Sequence, residues 1–193
     1  MSSQNGIREV MKGHHLVPVV TFNDMNTVDA FAEFLLSQEV KCIEITLRTE
    51  FGLQAIAHLK KAFGDKMLVG AGTVTTAEHI AKVEAAGGDF IVSPGLTPKL
   101  AEAFVASKTP YLPGVSTASE IMQAREFGLD TLKFFPAHLF GGISGLKTYG
   151  SVFPEIMFCP TGGITKESSS EFLSLSNVFA VGGSWFQKDF DLK

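Results

Sequence analysis

Cysteine is scarce in this sequence. Cys42 and Cys159 are the two present in 193 residues, and they stand far apart in no CxxC or CxxxH spacing, which excludes a disulfide-stapled fold and a cysteine zinc site. Long apolar runs are lacking too: none approaches the roughly 20 residues of a membrane-spanning helix. The opening MSSQNGIREVMKGHH has no apolar stretch of the secretory kind. There is no basic excess, since 16 Lys and Arg stand against 20 Asp and Glu for a net charge of −4. That leaves no basic stripe for nucleic acid or an anionic membrane. Histidines and carboxylates form no triad at strand ends, so a divalent metal has no ligands. With 45% apolar and 19% charged residues, the chain favours a packed core over disorder. These exclusions leave a cytoplasmic globular protein with a small-molecule task, of about one domain at roughly 150 residues per domain.

What the sequence does have is a repeating pattern. Short β-rich apolar runs recur as LVPVV (16–20), CIEITL (42–47), MLVGAGT (67–73), FIVSP (90–94), YLPGVS (111–116), TLKFFP (131–136), MFCPTGG (157–163) and VFAVGGSW (178–185). Helix-spaced stripes lie between them, such as Val28, Phe31, Phe34 and Leu35, or Ile56, Leu59, Lys60 and Phe63. Thr27, Thr76, Thr97, Thr117 and Lys166 stand near helix openings. Eight strands separated by helical crossovers predict a closed α/β fold, a parallel (β/α)8 TIM barrel, with a doubly wound open sheet as the rival. One barrel domain is expected over residues 1–193, with a short helix at about 3–12 whose Ile7, Val10 and Met11 plug the barrel floor. Only eight residues follow Trp185, too few for a full eighth outer helix, so either the outer ring is incomplete or a partner covers the groove.

The informative residues are the polar ones inside strands, because barrel strands alternate between the helices and the interior. In CIEITLR, Ile43, Ile45 and Leu47 belong to the helix side. Glu44 therefore points inward, and Arg48 reaches the C-terminal mouth. A buried carboxylate is unfavourable unless it is paired or used. An ion pair between Glu44 and Arg48 is the simplest structural explanation. In TLKFFP, Lys133 shares the inner face with Thr131 and Phe135, and it alone of 13 lysines falls in the middle of an apolar strand. Such surroundings favour the neutral amine, whose lone pair a Schiff base requires. The competing explanation is a lysine that only neutralises Glu44 across the barrel.

Two glycine pairs, in TGGI (161–164) and GGSW (182–185), close the last two strands. The loops after those strands are the usual phosphate site of this architecture, where bare N–H groups approach an oxyanion, although glycines also serve tight turns. GAGT (70–73) and SPG (93–95) lie at strand ends as well. His138 follows the sixth run at the mouth, where it could line the site, without a partner at metal-ligand spacing.

EITLRTE (44–50), GAGTV (70–74), SPG, PGVST (113–117), KFFPA (133–137), FCPTGGI (158–164) and VGGSW (181–185) resemble, in order and over nearly the whole chain, the signatures of the KDPG/KHG aldolases. The resemblance implies a homotrimeric barrel of the Schiff-base type, acting on small 2-oxo acids without metal or other cofactor. By position, Lys133 matches the imine-forming lysine and Glu44 the general acid/base. Arg48 and Thr73 match the residues that hold the pyruvate carboxylate. Thr161 matches a contact to the aldehyde portion, with Pro94 and Phe135 lining the pocket. Gly162, Gly163, Gly183 and Ser184 match the phosphate-binding loops. The implied reaction is cleavage of 2-dehydro-3-deoxy-6-phosphogluconate, and of 4-hydroxy-2-oxoglutarate. A 6-phosphogalactonate aldolase is the near alternative, and a phosphate-binding barrel isomerase the remote one. Family members continue with a longer C-terminal helix, so this chain departs from the pattern there.

Overall fold

The computed structural model describes residues 6–191. Strand and helix alternate through it: α1 (Ile7–Val10), β1 (Leu16–Val20), α2 (Val28–Ser37), β2 (Cys42–Thr46), α3 (Phe51–Phe63), β3 (Leu68–Gly72), α4 (Ala77–Ala85) and β4 (Phe90–Val92). Then follow α5 (Pro98–Ala106), β5 (Tyr111–Leu112), β6 (Gly114–Val115), α6 (Ala118–Glu126), β7 (Thr131–Phe134), a 3-10 turn (Ala137–Phe140), α7 (Gly142–Val152), β8 (Met157–Pro160), α8 (Lys166–Leu173), β9 (Val181–Gly183) and α9 (Trp185–Asp191).

All strand pairs are parallel, in the orders β5-β4-β3-β2-β1-β9 and β6-β7-β8. The fifth expected strand is divided because Pro113 has no N–H for the ladder, although its carbonyl still accepts from Lys133 N at 2.8 Å. Between β8 and β9 the ring is completed by parallel bridges at Phe158–Val178 and Thr161–Gly182. Eight strand positions thus close on themselves as the (β/α)8 barrel expected from the alternation.

The apolar residues sort into two layers. Ile43, Ile45, Val69, Ile91, Leu132 and Phe134 pack outward against helix residues such as Phe31, Ile56, Leu59 and Phe104. Inside, Val17, Cys42, Phe90, Val92, Leu112, Cys159 and Ala180 form a separate cluster, closed from below by Ile7 and Met11. α1 is anchored there by Arg8, whose Nη2 meets Asp130 Oδ2 at 2.9 Å. Residues 3–5 of the helix expected over 3–12 lie outside the described residues. Both cysteines are buried and free.

The helix openings correct one expectation. Thr76, Thr97 and Thr117 accept from the third helical N–H, and Glu120 returns the bond at Thr117. Thr27 makes no such bond, while Lys166 opens α8 directly after its cap, Thr165, whose oxygen accepts from Ser168 N–H. The outer ring also has its eighth member. α9 spans seven residues and buries Trp185 and Phe186. Its Phe190 sets a ring 5.2 Å from Phe31 and 5.6 Å from Phe34. Gln187 clamps Thr21, accepting from its N–H at 3.1 Å and donating to its carbonyl at 2.9 Å.

Candidate active site

Above the apolar floor the barrel interior turns polar, at the C-terminal strand ends. β2 and β7 stand opposite each other in the ring, and strand alternation aims Glu44 and Lys133 at its centre. Lys133 Nζ donates to Glu44 Oε1 at 3.1 Å and to Oε2 at 3.4 Å, with 5% and 3% of the two residues exposed. Glu44 is therefore paired with Lys133 across the barrel, and the ion pair with Arg48 raised from the sequence does not form. The carboxylate fits because β3 carries no side chain beside it: a Cβ on Gly72 would run into Glu44 Oε1. The GAGT run had marked this strand end without revealing that role, since a glycine's neighbour across a ladder depends on register. The Phe135 ring centroid lies 5.2 Å from Lys133 Nζ, a cation–π distance.

Arg48, exposed beyond β2, donates from Nε to Thr73 Oγ1 at 3.1 Å. Thr73 holds φ at 58°, a left-handed conformation that is unfavourable for a β-branched residue. The strained turn brings its hydroxyl to the guanidinium. The SPG loop is pinned by Ser93 Oγ, which donates to Gly95 O at 2.8 Å. Pro94 is half-buried, with its carbonyl packed so closely on Gly114 that a Cβ there would overlap it. Gly114 is in turn the register partner of Lys133. Thr161 is buried on the next strand end, with its N–H donating to Phe134 O at 2.9 Å. Gly162 and Gly163, at φ 98° and 71°, follow it. The Thr161–Gly182 bridge sets them beside Gly183 and the exposed Ser184.

Nucleophiles in the interior differ sharply. Burial pushes the Cys159 thiol up to about 12 against the opposing pull of Lys133, and pushes Cys42 well above its ordinary value. Both thiols are protonated near neutral pH and poor nucleophiles. The amine of Lys133 is left as the group suited to attack a carbonyl. Among the described residues no group of three or more His, Cys, Asp or Glu could hold a metal ion. A groove of about 630 Å³ lined by Gly13, His14, His15, Leu36 and Lys41 opens at the opposite end of the strands and includes none of these groups.

A parallel eightfold barrel with an amine and a carboxylate buried on facing strands is an arrangement suited to a lyase of the amine-dependent class. The chain belongs to the KDPG and KHG aldolase family, whose profile matches residues 7–192. The 2-dehydro-3-deoxy-phosphogluconate aldolase of Pseudoalteromonas atlantica is 41% identical over 182 residues, 94% of this chain and 84% of its own. The KDPG aldolase of Legionella pneumophila, solved with pyruvate captured at low pH as a covalent carbinolamine, is 38% identical with a TM-score of 0.90, covering 95% of this chain and 92% of that one. The Zymomonas mobilis aldolase, solved with 3-phosphoglycerate, is 41% identical with a TM-score of 0.90, covering 94% and 86%.

Proposed function

We propose that this protein cleaves 2-dehydro-3-deoxy-6-phosphogluconate reversibly to pyruvate and glyceraldehyde 3-phosphate, and 4-hydroxy-2-oxoglutarate to pyruvate and glyoxylate, through an imine on Lys133. The observation that carries this reading is the buried hydrogen bond of 3.1 Å between Lys133 and Glu44. Along it the ammonium passes its proton to the carboxylate and becomes the nucleophile. The amine adds to the C2 ketone. The resulting carbinolamine loses its hydroxyl as water with the proton from Glu44, leaving an iminium. Glu44, directly or through a water, then takes the C4 hydroxyl proton. The C3–C4 bond breaks, the aldehyde forms, and its bonding electrons move onto the iminium to give an enamine. Protonation at C3 and addition of water release pyruvate and restore the amine. The iminium is the electron sink, so no dissociable cofactor and no metal take part.

The other positions divide the substrate between them. Arg48, anchored through Nε to Thr73, presents its terminal N–H groups to the pyruvate-end carboxylate, and this orients the ketone toward Lys133. Pro94 and Phe135 line the pocket and Thr161 contacts the aldehyde portion. Gly162, Gly163, Gly183 and Ser184 receive the phosphate on backbone N–H groups and a hydroxyl. The enzyme acts as a cytoplasmic homotrimer with no nucleic-acid or membrane partner. The net charge of −4 supports the lack of a nucleic-acid or anionic-membrane partner, and no described helix is long and apolar enough to cross a membrane.

Borohydride with pyruvate tests the imine directly. The expected product is a stable pyruvyl mass on the peptide containing Lys133, with Lys133→Ala giving neither adduct nor turnover. An adduct on a different lysine, or none, removes the mechanism.

A further inference from the structure

The proposed phosphate cradle has an electrostatic gap. Gly162, Gly163, Gly183 and Ser184 bring N–H groups and one hydroxyl to a dianion, but no cationic side chain. The 3-10 turn that follows the Lys133 strand is laced onto this cradle: Ala137 N donates to Thr161 O at 2.8 Å and His138 N to Gly162 O at 3.3 Å. These bonds set the His138 imidazole against the backbone of Gly163. A Cβ at position 163 would overlap His138 Cβ and Cγ and crowd Nδ1. Gly163 therefore meets two demands at once, a φ of 71° and room for a ring. His138 is exposed, and its ring nitrogens meet no hydrogen-bond partner among the described residues. An imidazole held by its own backbone at the edge of an anion cradle, with its nitrogens open to solvent, is placed to donate to that anion.

We propose that His138 is a specificity-determining residue: its imidazole donates to the phosphate of the substrate and selects phosphorylated over unphosphorylated 2-oxo acids. This rests on the assignment of the glycine loops to phosphate. Lys133 and Glu44 treat both kinds of substrate alike. His138 meets only the end by which they differ, so its effect belongs in KM for the phosphorylated compound.

The test compares kcat/KM for 2-dehydro-3-deoxy-6-phosphogluconate and for 4-hydroxy-2-oxoglutarate across variants. His138→Ala is expected to lower the ratio of the two about tenfold or more, through KM rather than kcat, as loss of a hydrogen bond to a charged group does. His138→Gln, which keeps an N–H donor, recovers part of it, and His138→Phe none. Equal losses on both substrates would reduce His138 to a packing residue for Gly163, and an unmoved ratio would show that it does not reach the phosphate. Two further measurements separate this inference from the one beneath it. If inorganic phosphate competes with the phosphorylated substrate and Ser184→Ala lowers the ratio while His138→Ala does not, the cradle stands and the role of His138 is lost. If inorganic phosphate does not compete and Ser184→Ala leaves the ratio alone, both assignments fall together.

Discussion

An ammonium and a carboxylate buried 3.1 Å apart are a poor way to stabilise a barrel. Withdrawing each charge from water costs several kcal/mol, and an apolar pair of similar volume often does as well or better. The pair makes sense as chemistry, because one group must surrender a proton and the other must move it. Replacing Glu44 by Gln keeps the shape and hydrogen-bonding capacity but removes the base. Glu44→Gln is expected to lose about two to four orders of magnitude in cleavage rate, measured as pyruvate release, while borohydride still traps pyruvate on Lys133 more slowly. Full activity would leave Glu44 a structural partner only. At this scale much was legible beforehand: the alternation in CIEITLR and TLKFFP places Glu44 and Lys133 inward with no structure needed. The sequence offered two partners for Glu44, Arg48 and Lys133, and the alternation could not choose between them. Arg48 is nearer to Glu44 in sequence, but it lies past the strand end, where a turn redirects it to Thr73. The ring of His138 against Gly163 was hidden for a related reason. Contacts between two loops follow no period.

Among the elements, α9 shows how few residues can finish a wall. Counting residues after Trp185 suggested an incomplete ring, but counting misses what the residues are. Three aromatic side chains, Trp185, Phe186 and Phe190, and a glutamine clamp dock a helix of seven residues. Phe190→Ala should destabilise the fold by about 2 kcal/mol, less than a fully enclosed ring because Phe190 is half-buried, read as a lower urea midpoint with unchanged slope. An unmoved midpoint would mean that α9 is held by Trp185 and Phe186 alone. Helix starts were readable where a threonine preceded an apolar stripe. At α8 Lys166 does open the helix, and the oxygen that caps it, on Thr165, stands just before. The strand break at Pro113 follows from the missing N–H, yet the sequence alone reads YLPGVS as one run.

For the whole molecule, the layered interior has a signature in alkali. Cys42, Cys159 and Tyr111 are held protonated by burial, the last two up to about 12. The unfolded chain releases such protons from about 8.5 for thiols and about 10 for tyrosine. Between those values and the folded ones the native state binds more protons than the unfolded state, so stability falls as pH rises. Denaturant midpoints are expected to hold through neutral pH and decline above about pH 8.5, and Cys159→Ala should make that decline shallower. A flat profile to pH 11 would contradict the burial of these groups.

The plug of Ile7 and Met11 beneath the barrel makes the chamber a cul-de-sac. On the proposed chemistry, the three-carbon fragment stays tethered at the deep end while the aldehyde lies nearer the rim. With those two side chains filling the floor, departure on that chemistry follows depth: the aldehyde must leave before water can free the pyruvate. In the synthetic direction the order of arrival is reversed, with pyruvate docking before any aldehyde.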